Sequence, residues 1–293
     1  MIHVIINPIS GAGADASVAP RRKAMVESAA RDRGAAVTIA FTQRQGHARE
    51  LGEAARAGSA AGVIVWGGDG TFNETAGALI GTSIPIGLVP AGSGNGLAGA
   101  LGLPRDPRVA LPLAFDGRPR AIDAGRMAGR YFFNIAGVGF DARVAMLFNQ
   151  RGAGARGGWP YIVIGIREGC TYSALDYDVR LDDEPRKYRA LLLAFANGRE
   201  YGLGARIAPG ALLDDGLLDA IIVEERGILA RFWHARHLAK GTPQLAPMVT
   251  TRHVRRAVIE ADGEMEFHVD GEPGRARGRI EVEVIPTALV IKT

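Results

Sequence analysis

Three glycine-bearing segments carry the residue types that phosphate chemistry uses: Asn7-Pro8-Ile9-Ser10-Gly11, Gly67-Gly68-Asp69-Gly70-Thr71-Phe72-Asn73-Glu74 and Pro90-Ala91-Gly92-Ser93-Gly94-Asn95. Glycine lets a main chain come close to an anion, and N–H groups at a helix start form a concave anion site that needs no lysine. That freedom matters here, because Lys23, Lys187, Lys240 and Lys292 are the only lysines and arginine supplies the rest of the positive charge. The P-loop pattern of Gly, four residues, then Gly-Lys-Ser/Thr is absent. Taken singly, each segment also reads as a strand-to-helix turn with Ser10, Thr71 or Asn95 as the cap. Two further turns carry carboxylates, Asp215-Gly216 and Asp270-Gly271-Glu272. Asp-Gly alone is a hairpin signal. Phosphoryl transfer, however, asks for in-line positioning, neutralisation of growing charge and a carboxylate near the attacking hydroxyl.

The first third alternates strand and helix signals. Apolar runs at 2–6, 36–41, 62–66 and 84–89 are separated by helical spacing over 19–33, 47–57 and 71–79. Such alternation predicts a parallel sheet with helices on both faces, and those sheets bind ligands at the carboxyl ends of their strands. All three glycine segments follow predicted strands, so all three should open on one sheet edge. After about residue 123 the rhythm changes to short branched segments at 175–181, 188–196, 218–223, 252–261, 265–270 and 279–285, divided by Gly, Pro or Asp turns. This spacing predicts an antiparallel sandwich or barrel interrupted by helices at 141–148 and 228–239. The expected fold is therefore α/β: a parallel-sheet, three-layer α/β domain over 1–123, then an antiparallel β-sandwich domain with inserted helices over 124–293. The last strand, 288–292, could return to the first domain.

With 293 residues and 47% hydrophobic composition, the chain can bury two cores without crosslinks. Its one cysteine, Cys170, excludes an intrachain disulfide and a multi-cysteine zinc site. The greasy runs at 161–166 and 190–196 fall short of spanning length, and no signal-type leader is evident. A cytoplasmic protein, in peripheral contact with the inner face of a membrane, is expected. A net charge of +4 mildly favours anionic partners such as nucleotide phosphates or an acidic membrane. No nucleic-acid signature is present, and the oligomeric state is left open. In the helical stretch 227–240, Ile228, Leu229, Phe232 and Trp233 cluster on one side. Such a stripe ordinarily faces a core, with membrane contact as the alternative. His47, His253 and His268 lack metal-ligand spacing and are read as structural.

The motifs Asn-Pro-x-Ser-Gly, Gly-Gly-Asp-Gly-Thr-x-Asn-Glu and Pro-x-Gly-Ser-Gly-Asn, in this order, resemble the catalytic domain shared by diacylglycerol kinases, sphingosine kinases and their bacterial soluble relatives. The likeness continues through 133–141, Asn197-Gly198, Gly202, Gly204, Ala208-Pro209, 213–219 and Val269-Asp270-Gly271-Glu272. The resemblance implies an ATP-dependent lipid kinase requiring Mg²⁺. Asn7, Pro8, Ile9, Ser10 and Gly11 would surround the nucleotide with Gly67, Gly68, Asp69, Gly70, Thr71 and Asn73. Thr42, Gly92, Ser93 and Asn95 would add further contacts. Asp215 and the main-chain oxygens of Leu212 and Leu217 would hold Mg²⁺, an ion suited to hard oxygen ligands. Glu272 would take the proton of the lipid hydroxyl, with Asp69 as second choice and Asp270 beside it in the catalytic set. Gly96 stands where many bacterial diacylglycerol kinases carry Asp, and Gly92-Ser93-Gly94-Asn95 is similar to the sphingosine and ceramide kinase variant. A diacylglycerol, phosphatidylglycerol or a long-chain base thus stays open as the lipid acceptor at the membrane surface. An NAD-kinase-like enzyme acting on a soluble acceptor, or a nucleotide-binding regulator without catalysis, are the rival readings.

Overall fold

The computed structural model describes residues 1–11, 15–150, 164–165, 167–169, 171–202 and 205–293. Cys170, Gly204 and most of the 161–166 run lie outside the described residues. The chain forms two compact units, Met1–Ile122 with Thr287–Thr293, and Asp123–Pro286.

In the first unit, strands β1 (Ile2–Ile6), β2 (Val37–Phe41), β3 (Gly62–Gly67) and β4 (Ile86–Pro90) pair in parallel in the order β4-β3-β1-β2. Alternate side chains serve the two faces, as the period of a strand requires. Val4, Ile6, Ile64, Trp66 and Val89 form one core with Val26, Ala29 and Ala30 of helix α1 (Val18–Asp32). Helix α5 (Pro107–Asp116) adds Ala110, Leu111, Ala114 and Phe115 to that core. On the opposite face, α2 (His47–Ala57) lies against β1 and α3 (Asp69–Leu79) against β3. A short helix α4 (Gly96–Ala100) follows β4. Helix α5 was absent from the sequence expectation, although Asp106-Pro107 is a helix-start signal in which Asp106 accepts the amide of Arg108 at 2.9 Å.

In the second unit every recorded strand pairing is antiparallel. Strands β7 (Ile135–Gly139), β9 (Glu184–Ala196), β10 (Leu218–Glu224) and β11 (Val249–Val254) pair in the order β7-β9-β10-β11. Strand β12 (Arg256–Val269) joins β7 to the long β13 (Glu272–Lys292), and β8 (Leu175–Leu181) bridges β9 and β12. Strand β5 (Pro119–Met127) hairpins with β6 (Arg130–Phe132). Leu193, Phe195 and Ile222 point to one core, while Leu192, Ala194 and Ile221 point to a second, so both faces of β9 and β10 are covered. Helices α6 (Phe140–Gln150) and α7 (Ile228–Ala239) are inserted between strands of this unit.

Two expectations are corrected. The segment 252–261 is not one strand: Asp182 accepts the amides of both Arg255 and Arg256 at 2.9 Å, turning the chain between β11 and β12. Nor does the 228–239 stripe face a core, because Ile228, Leu229, Phe232 and Trp233 are all exposed.

Candidate active site

The chemistry of the first unit gathers where β1, β3 and β4 end. After β1, the Asn7 side chain donates to Thr71 Oγ1 at 2.9 Å and accepts from the Ile9 amide at 3.1 Å, tying the first glycine segment to the second. Ser10 Oγ donates to the Asn7 carbonyl at 2.9 Å. Pro8 and Ile9 fill the turn, and Gly11, at φ 100°, holds a left-handed conformation that suits glycine. Thr42 follows β2, its amide bonded to the Ile6 carbonyl at 2.9 Å.

The second segment runs from the end of β3 into α3, placing Asp69, Gly70, Thr71 and Asn73 in the opening turns of the helix and Gly68 at its cap. A free helix N-terminus is an anion site. Thr71 is no cap: it is buried and receives Asn7 instead. Glu74 reaches away to accept the amides of Gly46 and Ala48 at 2.8 and 3.2 Å, fixing the start of α2. In the third segment, the Asn95 side chain closes on Gly92 in both directions at 2.7 Å, around Ser93. Gly68 and Gly92 meet face to face: a Cβ on Gly92 would stand 2.7 Å from the Gly68 Cα, so neither loop has room for a side chain there.

One member of this site was missed in the sequence. Arg22 of α1 donates to the Asn7 carbonyl at 2.6 Å, Ser10 Oγ at 2.8 Å and the Ser10 carbonyl at 2.9 Å, and stacks 5.5 Å from the Trp66 ring. Burial pushes its pKa below the ordinary arginine value. The signal available was indirect: arginine supplies nearly all of the chain's positive charge.

Apart from Asp69, the second unit holds the candidate carboxylates. Asp123 is buried and accepts the Gly216 amide at 2.7 Å, while its own amide donates to the Leu213 carbonyl at 2.7 Å. The turn that carries Asp215 is thereby fastened to β5. Asp215 accepts the Leu217 amide at 3.0 Å, and Leu212 is exposed. Asp219, the second residue of β10, has its pKa raised, first by burial and then by the charge of Asp215, with His253 at 3.3 Å opposing. Surplus negative charge with exposed oxygens is a donor chemistry that suits a hard cation. Among the described residues no group of three or more acidic, His or Cys side chains could hold a metal alone. Mg²⁺ here would rely on main-chain oxygens, water and substrate phosphates, as that ion commonly does.

Asp270 sits in the left-handed region, φ 49°, with both carboxylate oxygens committed. They accept the amides of Phe133, Asn134 and Ile135 at 2.8, 3.0 and 3.0 Å. The following Gly271 donates its amide to His268 Nδ1 at 3.3 Å, and Asn149 donates to its carbonyl at 3.0 Å. His268 is buried, with Nε2 3.1 Å from Asp141 Oδ2, which also accepts the Tyr201 hydroxyl at 2.9 Å. Glu272, the first residue of β13, thus leaves a turn held from several sides.

Comparison with known proteins gives the class first. Residues 1–127 match the diacylglycerol kinase catalytic domain, and residues 134–293 match the YegS C-terminal NAD kinase beta sandwich-like domain. The chain belongs to the YegS-like lipid kinase family, within the diacylglycerol-kinase-type kinases. It is 32% identical over 247 residues to a Chromohalobacter salexigens protein named "Probable lipid kinase YegS-like", covering 83% of this chain and 79% of that one. A Citrobacter koseri protein of the same name is 30% identical over 286 residues, covering 96% and 93%. Among solved structures, a diacylglycerol kinase from Bacillus anthracis aligns with a TM-score of 0.73 and 19% identity over 99% of this chain and 96% of that one. An NAD kinase from Archaeoglobus fulgidus in complex with ATP aligns with a TM-score of 0.57 and 16% identity over 100% and 94%. At such identities the two structures speak for the fold alone.

Proposed function

We propose that this protein transfers the γ-phosphate of ATP to the hydroxyl of a membrane lipid, a diacylglycerol-like or long-chain-base-like acceptor, in a Mg²⁺-dependent reaction in the cytoplasm. The observation that carries the reading is the mutual locking of three glycine segments at the ends of β1, β3 and β4, in a chain of lipid kinase family. Main-chain N–H groups of 68–71 and 93–95 bind the phosphates, and Arg22 keeps the Asn7–Ser10 turn in place. Asp215 and the carbonyls of Leu212 and Leu217 would hold Mg²⁺, which would supply neutralisation of the charge growing on the transferring group.

Glu272 accepts the proton of the acceptor hydroxyl as that oxygen forms its bond to the γ-phosphorus and the bond to ADP breaks. Asp270 serves as a positioning residue, since its oxygens are engaged by three amides. Asp69 stays the alternative base. Family membership favours this reading over a soluble acceptor of the NAD-kinase kind.

Radiolabelled ATP incubated with mixed lipid extract is expected to give a solvent-extractable product. Glu272→Gln should cut that rate by about 10²–10⁴-fold, the usual worth of a general base, while ATP still binds. Label found only on water-soluble acceptors would end the lipid-kinase reading.

A further inference from the structure

Helix α7 is built inside out. A helix on a globular unit normally turns its large apolar side chains inward. Here the inward residues are Ala230 and Leu238, which pack against a buried cluster, together with half-buried Arg231, His234 and His237. Leu229, Phe232 and Trp233 are 82%, 60% and 53% exposed, and Ile228 is 44% exposed. Leu245, on the 3-10 turn Pro243–Leu245 beside α7, is 65% exposed.

The helix is not free to roll over and hide this face. Arg231 is salt-bridged to Glu225 and donates to the Gly169 carbonyl at 3.0 Å, and His237 Nδ1 lies 3.1 Å from Thr242 Oγ1. These bonds lie on the inward side. They fix which side is presented to the surroundings.

Charge says what the surroundings are. From Arg226 to Ile259 there is no Asp or Glu, while Arg226, Arg231, Arg236, Lys240, Arg252, Arg255 and Arg256 are all present. At 100° per residue, Arg236 and Lys240 fall on the same side as Leu229, Phe232 and Trp233, one and two turns further on. Both are exposed, and neither is paired with a carboxylate among the described residues. Apolar anchors followed by unpaired cations on one helix face suit an interface of acyl chains and anionic headgroups. A second copy of the same face would bring like charges together, which disfavours self-association through it.

We propose that α7 and the adjoining turn seat this protein on an anionic lipid bilayer. Leu229, Phe232, Trp233 and Leu245 enter the headgroup–acyl boundary, and Arg236 and Lys240 meet lipid phosphates. The inference deepens the lipid-kinase reading, which supplies the reason for docking, but its first readout is independent of catalysis.

The full chain is sedimented with vesicles of phosphatidylcholine alone or mixed with phosphatidylglycerol. Wild type should bind the mixed vesicles at least about ten-fold more tightly, consistent with roughly 1 kcal/mol per surface cation. Phe232→Ser with Trp233→Ser should abolish binding to both at unchanged Tm. Arg236→Gln with Lys240→Gln should remove only the preference for phosphatidylglycerol. Wild-type vesicle binding by the Ser double variant overturns the proposal, as does a wild-type dimer that the same variant dissociates without altered vesicle binding. A parallel assay compares vesicle-embedded with short-chain, water-dispersed diacylglycerol; the Ser variant should lose rate only on vesicles. Vesicle binding with no lipid phosphorylation would leave the surface standing and remove the lipid-kinase reading. Lipid phosphorylation with an unaffected Ser variant would do the reverse.

Discussion

Arg22 sits in a helix with no motif around it, yet it makes three hydrogen bonds to the Asn7–Ser10 turn and covers Trp66. A guanidinium presents several donors in one plane, which an ammonium cannot imitate. Arg22→Met should therefore weaken ATP binding by about ten-fold, equivalent to ~1.4 kcal/mol. Arg22→Lys should recover little of it; isothermal titration would show the difference, and wild-type affinity in both variants would remove Arg22 from the site. The glycines, Asn7, Asn95 and the carboxylates were legible in the sequence, because their types and local spacing already specify turns and phosphate contacts. The partners of Asp270 were not. Its three amides come from residues 133–135, and only the pairing of β12 with β7 brings them together.

At the scale of elements, parallel strands with helices between them were readable because each is an unbroken apolar run closed by a turn. The β-rich half was less so: Gly263, at φ 90°, lets β12 continue past an irregularity between Glu260 and Glu264, where local pattern suggested a break. For α7 the stripe was visible, but not the side it would face, since that was decided by the inward bonds of Arg231 and His237. Burial, with the nearby His237 charge adding to it, lowers the His234 pKa from 6.5 to about 4. The unfolded chain therefore takes up this proton first as pH falls. The contribution of a neutral His234 is complete above about pH 6.5 and is lost progressively down to about pH 4, amounting to roughly 2–3 kcal/mol. Urea unfolding at about pH 7 and about pH 4.5 should show that loss, and His234→Gln should flatten the slope by a similar amount. An unchanged slope would mean that the imidazole is well solvated.

On the scale of the whole molecule, the sequence left open whether the last strand belongs to the first or the second half. Residues 287–293 belong with Met1–Ile122. Ile291 pairs with Ile86, Ala288, Leu289 and Ile291 are buried, and Thr293 and Arg118 exchange hydrogen bonds of 2.9 and 3.1 Å. Ile291→Ala should cost about 2–4 kcal/mol, the usual range for emptying a buried aliphatic site. ATP should restore part of that loss, because a ligand of the folded state stabilises it by mass action. Thermal unfolding with and without nucleotide tests both statements; a variant as stable as wild type would show that the strand contributes nothing.

The same returning strand sets an order of events during protein synthesis. A ribosome delivers residues 123–286 before residue 287, so the β-rich unit has its full sequence while the parallel sheet of the first unit still lacks an edge. The first-made portion of this protein is thus among the last to be completed, and a nascent chain stalled before that strand would carry its three glycine segments on an unfinished support.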